Sequence, residues 1–91
     1  MKASVYASVV SIGELMSGTS ADQKEWKKKT VVLAPNGEER KLAAEAWNDS
    51  RIAQLDAIHP GDAVIATVDV YAHEFGGKWY NRCDLLSIRR P

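Results

Sequence analysis

Trp26, Trp47, Trp79 and Tyr80 are the side chains with the most evident chemistry, and lysines lie close to each of them. The stretch KEWKKKTVVL, residues 24–33, sets Trp26 among four lysines before turning abruptly apolar. A flat indole or phenol face stacks on the π face of a nucleobase, and each stacked base is worth about 1–3 kcal/mol by alanine substitution. A lysine ammonium is a compact point charge suited to loose contact with phosphate. Rings and ammonium groups interleaved on one sheet surface would bind a single strand of nucleic acid with little regard to sequence. The stacking candidates are Trp26, Trp47, Trp79 and Tyr80, and the phosphate candidates are Lys24, Lys28, Lys41 and Lys78. Arg40 and Arg82 extend the basic track, while Glu25, Glu38, Glu39 and Glu45 dilute it. Binding of this kind is modest and salt-sensitive, with a log–log slope of roughly −0.7 per phosphate on a single strand. The same residues also have a plainer use. Tryptophans plug the ends of small barrels, and lysines at a strand end keep it solvated and discourage edge pairing.

Other chemistry finds little support. His59, His73 and Cys83 match no zinc-ligand spacing. The SGTS segment, residues 17–20, lacks the Gly-rich run ending in Gly-Lys-Ser/Thr that cradles phosphate. Ser17, Thr19 and Ser20 have no histidine at a suggestive position, so no catalytic residue, metal or cofactor is assigned.

The elements that must position these residues are short strands. SVYASVVSIGEL predicts a first strand over residues 3–14. It is apolar on both faces, so it must bend or bulge to serve two parts of a closed sheet. Gly, Ser, Thr and Asp dominate MSGTSADQKE, which reads as a long, mobile loop. In the second strand, WKKKTVVLA, Trp26, Lys28, Thr30 and Val32 share one face, and Lys27, Lys29, Val31 and Leu33 the other. Asn36-Gly37 suggests a type I′ hairpin turn into the third strand, RKLAAEAW. There Leu42, Ala44 and Ala46 oppose Lys41, Ala43, Glu45 and Trp47. NDSRIAQLDAIHPG predicts a short helix capped by Asn48 or Asp49, carrying Ile52 and Leu55 on one stripe and stopped by Pro60-Gly61. DAVIATVDVYA is a fourth strand with Val64, Ala66, Val68 and Val70 on its core face. Gly76-Gly77 accepts either primed turn. The fifth strand, KWYNRCDLLSI, has an ambiguous register, because Leu85 and Leu86 are adjacent and one must break the alternation.

Five short strands with a helix between the third and fourth give β-β-β-α-β-β, the order of the five-stranded OB-fold barrel. The rival, an SH3-like barrel, normally lacks that helix. Ninety-one residues suit one domain, 1–91. Twelve basic and twelve acidic residues cancel, which argues against a strongly basic binder without excluding a local basic face. A lone cysteine permits no intrachain disulfide, and the alternating N-terminus reads as a strand rather than a leader, so a cytoplasmic protein is expected.

The segments AEAWNDSRIAQL, HPGDAVIATVDV and KWYNRCDLLSI together resemble the pattern of bacterial single-stranded DNA-binding proteins over roughly residues 26–88. SGTS, WKKKTVVL and AEAWND, over nearly the whole chain, resemble a family of bacterial single-OB proteins known only as a domain of unknown function. The resemblance implies the OB fold and, at Trp47, a base-stacking aromatic. Two features depart from the single-stranded DNA-binding pattern: the chain ends at SIRRP without an acidic-tipped tail, and FGGK stands where a longer, basic arm is usual. The expectation is a non-enzymatic, homodimeric binder of single-stranded nucleic acid, DNA more than RNA, without a membrane partner. The alternative is a protein–protein adaptor using the same barrel face.

Overall fold

The computed structural model describes residues 1–91. Its strands are β1 (Lys2–Ile12), β2 (Met16–Thr19), β3 (Glu25–Pro35), β4 (Leu42–Ala46), β5 (Ala63–Phe75) and β6 (Lys78–Arg89). A helix, α1 (Asp49–Gln54), runs into a 3-10 turn at Leu55–Ala57, between β4 and β5. The sheet order is β1-β5-β6-β4-β3-β2, and β1 also pairs with β3, which closes the five long strands into a ring. This is the OB-fold barrel, with β2 added as a short flap on β3.

Alternation places the core as the sequence requires. Val31 and Leu33 of β3, Ala44 and Ala46 of β4, and Val64, Ala66 and Val68 of β5 are all within 1% of complete burial. Leu55 and Ile58 plug one end of the barrel. Asn48 caps α1 by accepting a hydrogen bond from Arg51 N at 2.9 Å.

The two awkward strands resolve as bulges. β1 pairs with β5 through Lys2–Ser8 and with β3 through Ala7–Ile12, and its register with β3 shifts between Val9 and Ser11. In β6, Thr67 faces Ser87 but Val68 faces Leu85, so Leu86 is the extra residue. The bulge lets Leu85 and Ile88 both reach the core.

Two sequence expectations are corrected. Residues 16–19, expected as part of a long loop, form β2, with Gly18 directly opposite Trp26. The Trp26 indole lies over Gly18 so closely that a Cβ there would stand 2.6 Å from Trp26 Cζ2. Glycine is a weak strand former, but here its missing side chain makes room for the ring. The remaining connection is a tight turn in which Ser20 N donates to Lys24 O at 2.8 Å and Gln23 adopts φ 65°. Asn36-Gly37 is also not a type I′ turn. Only Gly37 has positive φ, at 80°, and Glu38 N donates to Pro35 O at 3.2 Å, the pattern of type II. Ladder pairing with β4 begins only at Leu33 and Leu42, while Ala34 and Pro35 pair with β1 alone.

Candidate functional site

The outer face of β3 carries Trp26 and Lys28, and that of β4 carries Glu45 and leads into Trp47. Thr30 pairs with Glu45, so continuing the register sets Lys28 across from Trp47. The result is a tryptophan pair outside the core. Trp26 and Trp47 have ring centroids 6.0 Å apart and planes inclined at 59°. Both are half-buried rather than sealed in the interior.

Trp47 is the better-held of the two. Its Nε1 donates to Asp84 Oδ1 at 3.2 Å, and Tyr71 OH donates to the other Asp84 oxygen at 2.7 Å. Donation to the Asp84 carboxylate, burial and the carboxylate charge all raise the Tyr71 pKa above the ordinary phenol value. Two cations lie over the Trp47 ring, Lys28 Nζ and the Arg82 guanidinium carbon, each 5.2 Å from the centroid. Lys28 also pairs with Glu45 Oε2 at 2.7 Å, with both side chains about three-quarters buried.

The β5–β6 hairpin extends this face beyond the barrel as an arm. Gly76 and Gly77 have φ of 60° and 78°, the double positive φ of a type I′ turn, and Phe75 pairs with Lys78 across it. The short turn thus ends a long ladder, in which His73 pairs with Tyr80 and Tyr71 with Arg82. Directly opposed residues share a face, so Tyr71, His73, Phe75, Lys78, Tyr80 and Arg82 line the same side of the arm. His73, Phe75, Tyr80 and Arg82 meet Lys28 and Glu45 around an open concavity of about 410 Å³. Phe75 and Tyr80 are exposed there.

The sequence candidates therefore divide. Trp26, Trp47 and Lys28 come together, and Tyr80 joins them across the concavity. Trp79 pairs with Glu74 and points from the opposite side of the arm, 68% exposed. Lys78 stands at the arm's tip. Lys24 lies in the β2–β3 turn, its Nζ 3.9 Å from Asp22. Lys41 lies at the far end of β4, in a separate groove with Arg40, Tyr6 and Asn36. The structure adds Arg82, His73, Phe75 and Asp84 to the residues that the sequence pattern points to. Arg82 had the visible signal, since it lies two residues from Tyr80 and so on the same strand face. His59, His73 and Cys83 lie apart. His59 Nδ1 is 3.8 Å from Asp62, His73 is on the arm, and half-buried Cys83 packs against the core. Burial, then the Asp84, Asp69 and Glu45 carboxylates, raise the Cys83 thiol pKa. No helix is long and apolar enough to cross a membrane.

Among solved structures, the chain is similar to the mitochondrial single-stranded DNA binding protein Rim1 of S. cerevisiae. One crystal form of Rim1 aligns at 19% identity over 99% of this chain and 94% of that chain, with a TM-score of 0.66. A second form aligns at 19% identity over 97% and 90%, with a TM-score of 0.57. A small single-stranded DNA-binding protein from Streptomyces coelicolor aligns at 10% identity over 100% of this chain and 94% of that chain, with a TM-score of 0.48. The Rim1 likeness shows a shared OB fold. No curated protein matches the chain. The pattern of the family described as Domain of unknown function (DUF3127) matches residues 4–88, and the chain belongs to that family.

Proposed function

We propose that the chain binds single-stranded nucleic acid, DNA in preference to RNA, across the outer face of β3, β4 and the arm. The observation that carries this reading is the Trp26–Trp47 pair, half-buried side by side on the barrel's outside with Arg82 over the Trp47 ring. Bases stack on the tryptophan pair and on Tyr80 and Phe75, and phosphates follow the cations at the rim. Lys24 and Lys78 flank the path, and Lys41 contacts a strand long enough to run the length of β4. Trp79, on the other side of the arm, is reached only by a strand that wraps around it. The similarity to Rim1, whose name states single-stranded DNA binding, supports the same reading.

The test is a titration of tryptophan fluorescence with oligo-dT at low salt. Saturable quenching is expected, and Trp47→Ala should weaken binding by about 1–3 kcal/mol. No quenching up to high-micromolar strand overturns the reading.

The second reading is a protein–protein adaptor. It is favoured by the arm, where Phe75 is 73% and Trp79 68% exposed. A dimer in light scattering is expected under both readings, and a clean monomer at high concentration counts against it. A stable dimer that shields Trp47 and ignores oligo-dT selects the adaptor.

A further inference from the structure

We propose that Glu45 is an internal competitor for the phosphates of the ligand strand. It holds Lys28 as a counterion, so Arg82 is the working cation at Trp47 while Glu45 is present. This rests on the nucleic-acid reading above and names the residue that limits its affinity.

The geometry separates the two cations sharply. Lys28 and Arg82 stand at the same distance, 5.2 Å, from the Trp47 ring centroid. Lys28 donates to Glu45 Oε2 at 2.7 Å, and the side chains are 24% and 25% exposed. Arg82 makes no ion pair with any carboxylate. The other lysine pairs of the chain are at 3.9 and 4.0 Å, with side chains at least half exposed, and water screens them. The Lys28–Glu45 pair is the short, sheltered one, and it lies in the floor of the concavity.

The position of Glu45 explains why it holds Lys28. It faces Thr30 on β3, two register positions along from Lys28 and so on the same face, and on its other side it is the register partner of Asp84. Asp84 is already engaged by Trp47 and Tyr71. Lys28 is the only cation bonded to Glu45, and Glu45 the only carboxylate bonded to Lys28. A phosphate that shares the Lys28 ammonium sits beside Glu45 and Asp84, and one that takes it outright leaves Glu45 unpaired as the strand covers both. The exchange swaps one charge-assisted bond for another and adds the desolvation of a lone carboxylate. Phosphate contact with Lys28 then brings no net gain. Arg82 offers its fork to phosphate with no bond to break.

A double-mutant cycle on oligo-dT affinity, measured at several salt concentrations, tests this. Glu45→Gln keeps the side chain's size and removes its charge. It should tighten binding roughly tenfold at low salt, the scale of one charge-assisted hydrogen bond. The log–log salt slope should steepen by roughly 0.7, the mark of one more phosphate contact. Lys28→Ala alone bares the Glu45 charge and should weaken binding, whereas in the Glu45→Gln background it should abolish the gain and return affinity to about the wild-type value. Arg82→Ala should weaken the wild type and flatten its slope by roughly 0.7. A variant that merely loses stability does not steepen the slope. Binding by the wild type with no gain in Glu45→Gln overturns the competitor and leaves the nucleic-acid reading standing. A Lys28→Ala, Glu45→Gln double variant that binds as weakly as Arg82→Ala does the same. No binding by any variant overturns both.

Discussion

Gly18 and Trp26 illustrate how much can depend on a missing atom. The indole occupies the space a Cβ would need, so any larger residue at 18 must displace the Trp26 ring that packs beside Trp47. Gly18→Val is expected to destabilise the chain by about 1–3 kcal/mol, the usual cost of overpacking. It should also change the tryptophan emission, because the Trp26 ring is displaced; denaturant melts and fluorescence spectra check both effects. Asp84 is the second residue on which the site turns, since it accepts from both Trp47 and Tyr71. In Asp84→Asn the Tyr71 phenol should titrate closer to its ordinary value, read by ultraviolet absorbance in alkali. The sign follows from the raised folded pKa: Tyr71 favours folding below its ordinary pKa and loses that contribution as pH rises through the higher folded value. The nearness of Trp26 and Trp47 was legible, because alternation puts Trp26 and Lys28 on one face and Glu45 and Trp47 on the next strand's matching face. The clamp on Trp47 was not. Arg82 and Asp84 reach it through the parallel β4–β6 contact, which no local pattern encodes.

At the scale of elements, the strands were legible and their turns only partly so. Gly76-Gly77 does make a type I′ turn, because both residues tolerate positive φ. Asn36-Gly37 does not, because the β3–β4 ladder starts only at Leu33 and Leu42, so the pair sits inside a longer connection rather than a two-residue hairpin loop. β2 was not legible because Gly and Ser are poor strand formers and Thr19 alone is no strand signal; β2 exists through its partner strand and the indole above it. The length of the arm was hidden by the shortness of its turn. From Tyr71 to Asn81 every residue is exposed, so the arm adds little to the core and much to the surface. Replacing Gly76 and Gly77 together by Val forces β-branched residues into positive φ, at about 1–2 kcal/mol each. The arm amides should then exchange hydrogen faster while the barrel's melting midpoint barely moves. Oligo-dT affinity should fall if the arm is part of the interface, and unchanged affinity would confine the interface to the barrel.

At the scale of the molecule, the barrel closes on a core of 13 buried residues, so its ends carry unusual weight. Strand and helix order indicated the closed barrel, and the stripe of Ile52 and Leu55 indicated the apolar side of the helix. The lock beside the plug was not legible, because it joins residues far apart in sequence. Asp62 Oδ2 accepts from His59 N and from Arg90 Nη2, each at 2.9 Å, and the same Arg90 nitrogen donates to Ala57 O at 2.6 Å. These bonds tie the end of β6 to the exit of the 3-10 turn, next to Leu55 and Ile58. The His59 backbone bond, then the Arg90 bond, lower the Asp62 pKa below the ordinary carboxylate value. A lowered folded pKa means that Asp62 stabilises the fold above its ordinary pKa and loses that contribution as pH falls through the lower folded value. Asp62→Asn should therefore be less stable than the wild type at neutral pH, and the gap should narrow as pH falls from about 5 to about 2. Urea melts at a series of pH values measure the gap. Parallel curves for the two proteins down to strong acid would mean that the Asp62 charge plays no part in holding the plug, and that Leu55 and Ile58 keep the barrel end shut by packing alone.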